Sequence, residues 1–279
     1  MQLVKAMMIG DVVGGLGIKT LEAKLPDLIK EHKIDFVTVN GENAAEGFGM
    51  TETEFKRIIE AGADVITSGN HIWEKREFWA ILESEQRMLR PANYPDKTGT
   101  PGTGYALIEK NNITWLVINL QGRELMSYID CPFQCFDHLL NTYTGKTWDN
   151  HPLISANGNF DSPLSPVILV DFHAESSREK ETLAYYADGR AALIAGTHTH
   201  VQTADERILP KGSAYITDLG MTGITDSVIG MSPEICLERF LKQIQYQMKT
   251  AVSDQEGQIH GVIAEIDADT GKAVSIQRI

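Results

Sequence analysis

The chain is predicted to be an α/β protein. Short apolar runs rich in Val and Ile recur along its 279 residues, each followed by glycine or polar residues, which is the pattern of buried strands. Segments with helical spacing lie between several of these runs, and such alternation indicates an α/β domain. A third observation is positional: many of the runs end in a carboxylate, an amide or an imidazole. No internal repeat or low-complexity segment interrupts the pattern, so residues 1–279 read as one domain.

The strands are expected at LVKAMMI (3–9), DFVTVN (35–40), DVITS (64–68), WLVINL (115–120), VILVDF (167–172), AALIAG (191–196) and AYITDL (214–219). Between the first two, Leu21, Leu25, Leu28 and Ile29 share a helical face, and Pro26 is expected to kink or restart that helix. TETEFKRIIEAG (51–62) opens with a capping box, Thr51 with Glu54. It turns Phe55, Ile58 and Ile59 inward and ends near Gly62. Ser177 begins a helical stretch with Leu183, Tyr186 and Ala187. Ser232-Pro233 starts a late helix carrying Leu237, Phe240 and Leu241. Residues 141–166 are polar, turn-rich and without a clear period. They are expected to form a long irregular loop, contacting another copy or lying in solvent; loops of that length are usually functional or disordered. His151 within it is not expected to be a ligand. The last segment, 261–279, reads as a hairpin. Its DADTG resembles the start of a calcium loop, but the twelfth position is Arg278 instead of Glu, so a simple turn is expected.

A formal net charge of −13 argues against broad contact with a nucleic-acid backbone. It leaves room for a small phosphorylated ligand, because bound cations would reverse the local sign. The opening MQLVKAMMIGD is not the pattern of a signal peptide, since Lys5 interrupts its apolar stretch and Asp11 ends it. No stretch approaches the ~18–20 apolar residues of a membrane span. Three cysteines make no disulfide framework, and Cys131 with Cys135 alone are too few for a structural zinc site. All three are expected to be reduced, in a cytoplasmic protein.

The candidate chemistry lies just beyond the strands. Asp11 follows AMMIG, Glu42 and Asn43 follow FVTVNG, Asn70 and His71 follow VITSG, His173 follows VILVDF, and His198 and His200 follow LIAGT. Ligands of open α/β sheets bind beyond the carboxyl ends of the strands. Each residue alone has a plain reading, as a turn, a helix cap or a hydrogen-bonded core residue. Together they can converge. His198 and His200 are separated by one residue, so at a strand's end they should lie side by side on one face.

Imidazoles, carboxylates and amides make a mixed nitrogen and oxygen environment. That suits Mn, Fe or Zn better than Mg or Ca. The set is too large for one tetrahedral zinc and sufficient for two metals about 3.5–4 Å apart with a bridging carboxylate. His198 and His200 would then serve one metal each. Such a pair promotes in-line displacement at phosphorus: a water between the metals loses a proton to become the nucleophile, and the metals absorb phosphoryl charge. An imidazole that is not a ligand can protonate the leaving oxygen.

GD (10–11), GEN (41–43), GNH (69–71), FH (172–173) and THTH (197–200) resemble the ordered motifs of calcineurin-like metallophosphoesterases. GDVVG, NGENAAEGFG, SGNHIW, LRPANYP, NLQGR, VDFHAES, GTHTHVQTADERILP and DLGMTG resemble a bacterial branch more closely, the YmdB-like cyclic-nucleotide phosphodiesterases. The likeness runs through nearly the whole chain. It implies an αββα sandwich, two mixed sheets flanked by helices with the metals at the strand ends. It implies Asp11, Asn43 and His200 on one metal, Asn70, His173 and His198 on the other, Glu42 bridging, and His71 as proton donor to the leaving group. It implies hydrolysis of 2′,3′-cyclic nucleotides to monophosphates, with 3′,5′-cyclic AMP as a second candidate, and suggests a homo-oligomer.

Three positions depart from the broad superfamily. Val13 stands where a ligating His is usual, Glu42 where a bridging Asp is usual, and Ile72 where an acidic residue follows GNH. Losing an imidazole and gaining an oxygen ligand makes the first site harder and points to iron or manganese. Alternatives remain for other residues. Arg123 suits a phosphate contact or a structural ion pair, Gly14 and Gly15 an anion nest or a tight turn. Glu175 is placed to orient a ligating His or to cap the next helix, and Thr199 should face away from its flanking histidines. A different class of function also fits the ligand set, a metal-dependent nucleotide sensor with little turnover. An amidohydrolase-type barrel also carries His-x-His, but there the pair follows the first strand.

Overall fold

The computed structural model describes residues 2–95, 99–144, 165–245 and 247–279. In chain order its elements are β1 (Leu3–Ile9), β2 (Asp11–Val12), α1 (Gly14–His32), β3 (Phe36–Asn40), α2 (Glu52–Glu60), β4 (Val65–Thr67), α3 (Trp79–Ser84), β5 (Tyr105–Lys110), β6 (Ile113–Gln121), α4 (Pro132–Thr144), β7 (Val167–His173), α5 (Ser177–Ala187), β8 (Leu193–Thr197), β9 (Arg207–Ile208), β10 (Ala214–Ile216), β11 (Met221–Thr222), α6 (Pro233–Lys242), β12 (Gly261–Asp267) and β13 (Lys272–Arg278). Two 3-10 turns, Asn70–Trp73 and Arg76–Phe78, follow β4.

Two mixed sheets result. The first has the order β13-β12-β1-β3-β4 and the second β5-β6-β7-β8-β10-β9; β2 pairs separately with β11. The central pairs β1–β3, β3–β4, β6–β7, β7–β8 and β8–β10 are parallel. Antiparallel strands flank them, including the expected hairpin β12–β13.

Alternation of side chains along each strand sorts the core into layers. Val4, Ala6 and Met8 of β1 meet Val117 of β6, Leu169 of β7 and Ala195 of β8 between the sheets. The opposite face of β1, Met7 and Ile9, packs against Ile18, Leu21 and Leu25 of α1 and Phe55 and Ile58 of α2. Leu116, Ile118, Ile168 and Val170 pack against Phe136 and Leu140 of α4 and Leu183 of α5. The order helix, sheet, sheet, helix is the expected αββα sandwich, and it is not a barrel.

Several elements correct the sequence reading. Helix α1 runs unbroken through Pro26, so Pro26 neither ends nor restarts it. Residues 141–144, expected in the irregular loop, close α4. Phe136, Leu139 and Leu140 bury one side of that helix, an apolar face the polar composition of its end obscured. The rest of that loop, 145–164 with His151, lies outside the described residues. Leu237, Phe240 and Leu241 of α6 face solvent, and Cys236 is the residue of that helix that is buried. The capping box of Thr51 and Glu54 is present, and α5 begins at Ser177 as expected, with Ser176 as its cap. In the DADTG turn the Asp267 carboxylate accepts hydrogen bonds from Asp269 N and Thr270 Oγ1. Among the described residues Cys131, Cys135 and Cys236 form no disulfide. Among the described residues no helix is long and apolar enough to cross a membrane.

Candidate metal centre

The inner faces of both sheets change character along the strands. Phe36, Val65, Val117, Leu169 and Ala195 belong to the inter-sheet core. Two and four residues later on the same faces come Thr38 and Asn40, Thr67, Asn119 and Gln121, Asp171 and His173, and Thr197, all buried. The carboxyl ends of five strands thus build a polar floor between the sheets, and the loops beyond them supply the rest.

The predicted residues gather on this floor in two groups. In the first, His173 Nε2 lies 3.0 Å from Glu42 Oε1, 3.1 Å from Asn70 Oδ1 and 3.0 Å from His198 Nδ1. In the second, the Asn43 amide is 3.1 Å from His200 Nε2 and 3.3 Å from Asp11 Oδ1, and His200 Nε2 is 3.6 Å from Asp11 Oδ1. Glu42 Oε1 touches both groups, since the Asn43 amide also reaches it at 3.3 Å. Asn43 presents its nitrogen here, an orientation set by hydrogen bonding; presenting Oδ1 to a cation requires the amide to turn over. The other Glu42 oxygen accepts a hydrogen bond from His71 N at 3.0 Å.

The two histidines of THTH are not neighbours on a strand face. β8 ends at Thr197, and the chain then passes through positive φ at His198 (100°) and His200 (64°). This sends one ring into each group. Such angles are costly for side-chain-bearing residues, on the order of 1–3 kcal/mol each, so the surroundings must hold them. Thr199 faces away, as expected, and is gripped by Asp218, which accepts from Thr199 N at 3.2 Å and Thr199 Oγ1 at 2.7 Å. Asp218 also meets Lys180 Nζ at 2.7 Å and Gly220 N at 2.8 Å. Lys180 and Asp218 are each 1% exposed. Gly69, the first residue of GNH, leaves the room His173 occupies: a Cβ there would stand 2.1 Å from the ring.

A layer behind the donors was not singled out in the sequence. Thr197 Oγ1 sits 2.9 Å from His173 Nδ1 and 2.7 Å from Asp171 Oδ1. With its proton given to Asp171, the hydroxyl accepts from His173 Nδ1–H, which turns Nε2 toward the cluster. Asn40 and Thr67 complete the shell of Asp171. His200 is fixed in the same way, Nδ1 donating to Ile229 O at 2.9 Å. Glu175 Oε2 lies 3.0 Å from His198 Nε2, so it orients a histidine and does not cap α5. The sequence signal for Asp171 was present as D-x-H within one strand, both side chains on one face.

Charge makes the cluster a place for a cation. Burial alone would depress the His173 imidazole, but Glu42, Asp11 and Asp171 outweigh it and push it up to about 9. Burial likewise favours a neutral Glu42, yet His173 and the nearby His71 hold it below the usual carboxylate range. Burial raises Asp11, against the pull of His200 and His173. Burial and the adjacent His173 charge push His198 down to about 3. The His173 imidazole thus sits among three buried carboxylates, and metal ions compete with protons for such donors. Glu42, His173 and His198 converge closely enough to share one ion. The donor chemistry and geometry fit a metal.

The His71 ring stands apart from both groups. It packs edge-on against Phe48, with centroids 5.0 Å apart. Its Nδ1 is 3.5 Å from Glu74 without hydrogen-bond geometry. Arg123 is exposed, and its guanidinium reaches Cys131 Sγ while its backbone N–H meets Glu179; among the described residues it forms neither a carboxylate ion pair nor part of the cluster. Gly14, with φ of 62° and its N–H on Asn43 O, makes a tight turn.

Known proteins share this architecture. The chain is 42% identical over 275 residues to a 2′,3′-cyclic-nucleotide 2′-phosphodiesterase of Bacillus subtilis strain 168, covering 99% of this chain and 96% of that protein. A protein of solved structure from Thermus thermophilus superposes with a TM-score of 0.84 at 36% identity, covering 99% of this chain and 98% of that one. The crystal structure of a novel phosphatase from Mycoplasma pneumoniae gives a TM-score of 0.86 at 31% identity, over 100% of this chain and 93% of that one. The YmdB-like protein family matches residues 7–279, and the chain belongs to that family.

Proposed function

We propose that the protein is a metal-dependent phosphodiesterase that opens nucleoside 2′,3′-cyclic phosphates to monophosphates, in the cytoplasm. The observation that carries the reading is the double contact of Glu42 Oε1, which lies 3.0 Å from His173 Nε2 in one donor group and 3.3 Å from the Asn43 amide in the other. Asn70, His173 and His198 would hold one metal, Asp11, Asn43 and His200 a second, and Glu42 would bridge them. The second group is the richer in oxygen donors, which favours iron or manganese. Bound there, the cations supply charge against the phosphoryl oxygens and a nucleophile from water near neutral pH.

The chain's own residues do the remaining work. Thr197 and Asp171 keep His173 Nε2 facing the cluster, and Ile229 O does the same for His200. His71 is the proton donor to the leaving oxygen. Its backbone is tied to Glu42 and its ring braced by Phe48, so it sits beside the cluster without being spent on it. The activity carried by the Bacillus subtilis relative supports the substrate class. Assay of 3′,5′-cyclic AMP alongside sets its breadth.

The test is hydrolysis of 2′,3′-cyclic AMP by protein stripped of metal and reloaded with Mn²⁺. Metal-dependent formation of a monophosphate is expected. His71→Ala is expected to keep its metal and to turn over about 10²-fold more slowly or worse. Tight nucleotide binding without turnover would replace the enzyme with a sensor, and full activity in His71→Ala would remove His71 as the acid.

A further inference from the structure

A cavity of about 570 Å³ opens next to the His71 side of the cluster. That volume lies in the range of small-ligand sites. Phe48 and Met248 contribute apolar surface to it, while Lys75, Lys249, Glu46 and Glu74 give it a polar rim. Phe48 and Met248 are both half-buried and belong to one apolar cluster with Val13 and Met231. Two residues that line the cavity touch His71, which places it beside the proposed reaction centre. Phe48 packs on the His71 ring at 5.0 Å, and Glu74 approaches His71 Nδ1 at 3.5 Å. His71 in turn is one hydrogen bond from Glu42.

We infer that this cavity is the nucleobase subsite. The inference rests on the phosphodiesterase reading and specifies how its substrate is held. A cyclic phosphate at the cluster carries its ribose and base a short distance away, and the base needs an apolar surface with polar groups at its edge. Phe48 and Met248 provide the first. Lys75, held by Glu46 at 3.3 Å, and Glu74 provide donors and acceptors of the second kind. Stacking on an aromatic ring tolerates any base, so the subsite adds affinity for nucleotides as a class.

The experiment compares 2′,3′-cyclic AMP with glycerol 1,2-cyclic phosphate, which has the five-membered phosphate ring and no base. Met248→Ala is expected to raise KM for the nucleotide about ten-fold, leave its kcat within about two-fold, and leave kcat/KM for the glycerol ester unchanged. Phe48→Ala is expected to raise KM for the nucleotide as well and, because Phe48 also braces His71, to lower kcat on both esters; its KM effect, confined to the nucleotide, serves if Met248→Ala does not fold. A KM change equal on both esters, or none on either, would overturn the subsite alone. Failure of the parent protein to hydrolyse either ester would overturn the phosphodiesterase reading and the subsite with it.

Discussion

His173→Ala is expected to reduce hydrolysis of 2′,3′-cyclic AMP by about 10³-fold or more, with Asn70→Ala close behind. His173 Nε2 is the atom on which three other donors converge, all at 3.0–3.1 Å. Its removal takes one donor away and leaves the buried Glu42 without the imidazole that faces its Oε1. A catalytic cation contributes several kcal/mol of transition-state charge stabilisation, and each 1.36 kcal/mol is a factor of ten in rate. The measurement is kcat/KM for each variant at saturating Mn²⁺. Activity within ten-fold of the parent would mean that His173 is a core histidine and that the chemistry lies elsewhere.

Lys180→Met is expected to be the most damaging substitution away from the donors. Lys180 and Asp218 are an ion pair with no access to water. Removing one partner of such a pair typically costs about 3–5 kcal/mol, because the other charge stays buried. For a chain of this size that lowers Tm by on the order of 10 °C. A functional effect comes with it, since Asp218 also anchors Thr199 and thereby the two positive-φ histidines. Thermal unfolding reads the first effect and Mn²⁺ affinity at a temperature where the variant is folded reads the second. A stable variant with parental Mn²⁺ affinity would show that neither the pair nor its grip on the loop matters.

How legible was this in the sequence? The eight candidate residues could be named because each stands just beyond an apolar run, where strand ends meet. The gathering of seven of them into two groups then needed only parallel strands, which the helices between the runs supplied. The local geometry of THTH was not legible. An i, i+2 argument holds only while the strand continues, and β8 stops at Thr197. His198 and His200 diverge through backbone angles that no residue type there announces. The bracing residues were hidden for a different reason. Asp171 sits inside an apolar strand and Thr197 ends one, and both look like interruptions, while Lys180 has the look of a solvent-facing helix residue until Asp218, far along the chain, is brought beneath it. Sheet order was beyond reach for the same cause. β12 and β13 close the first sheet from the far end of the sequence, a pairing with no local trace. Helix α4 was concealed by its polar C-terminal end.

Metal content is the decisive measurement for the paired centre. Protein reconstituted with Mn²⁺ and freed of excess is measured by elemental analysis against protein concentration, in parallel with its turnover of 2′,3′-cyclic AMP. Two donor groups joined through Glu42 should hold two ions per chain in the active parent, and one in His173→Ala, whose Asp11, Asn43 and His200 group is untouched. An active parent holding one ion per chain would rule out the paired centre and the bridging role of Glu42, and an active parent holding none would rule out the metal site altogether.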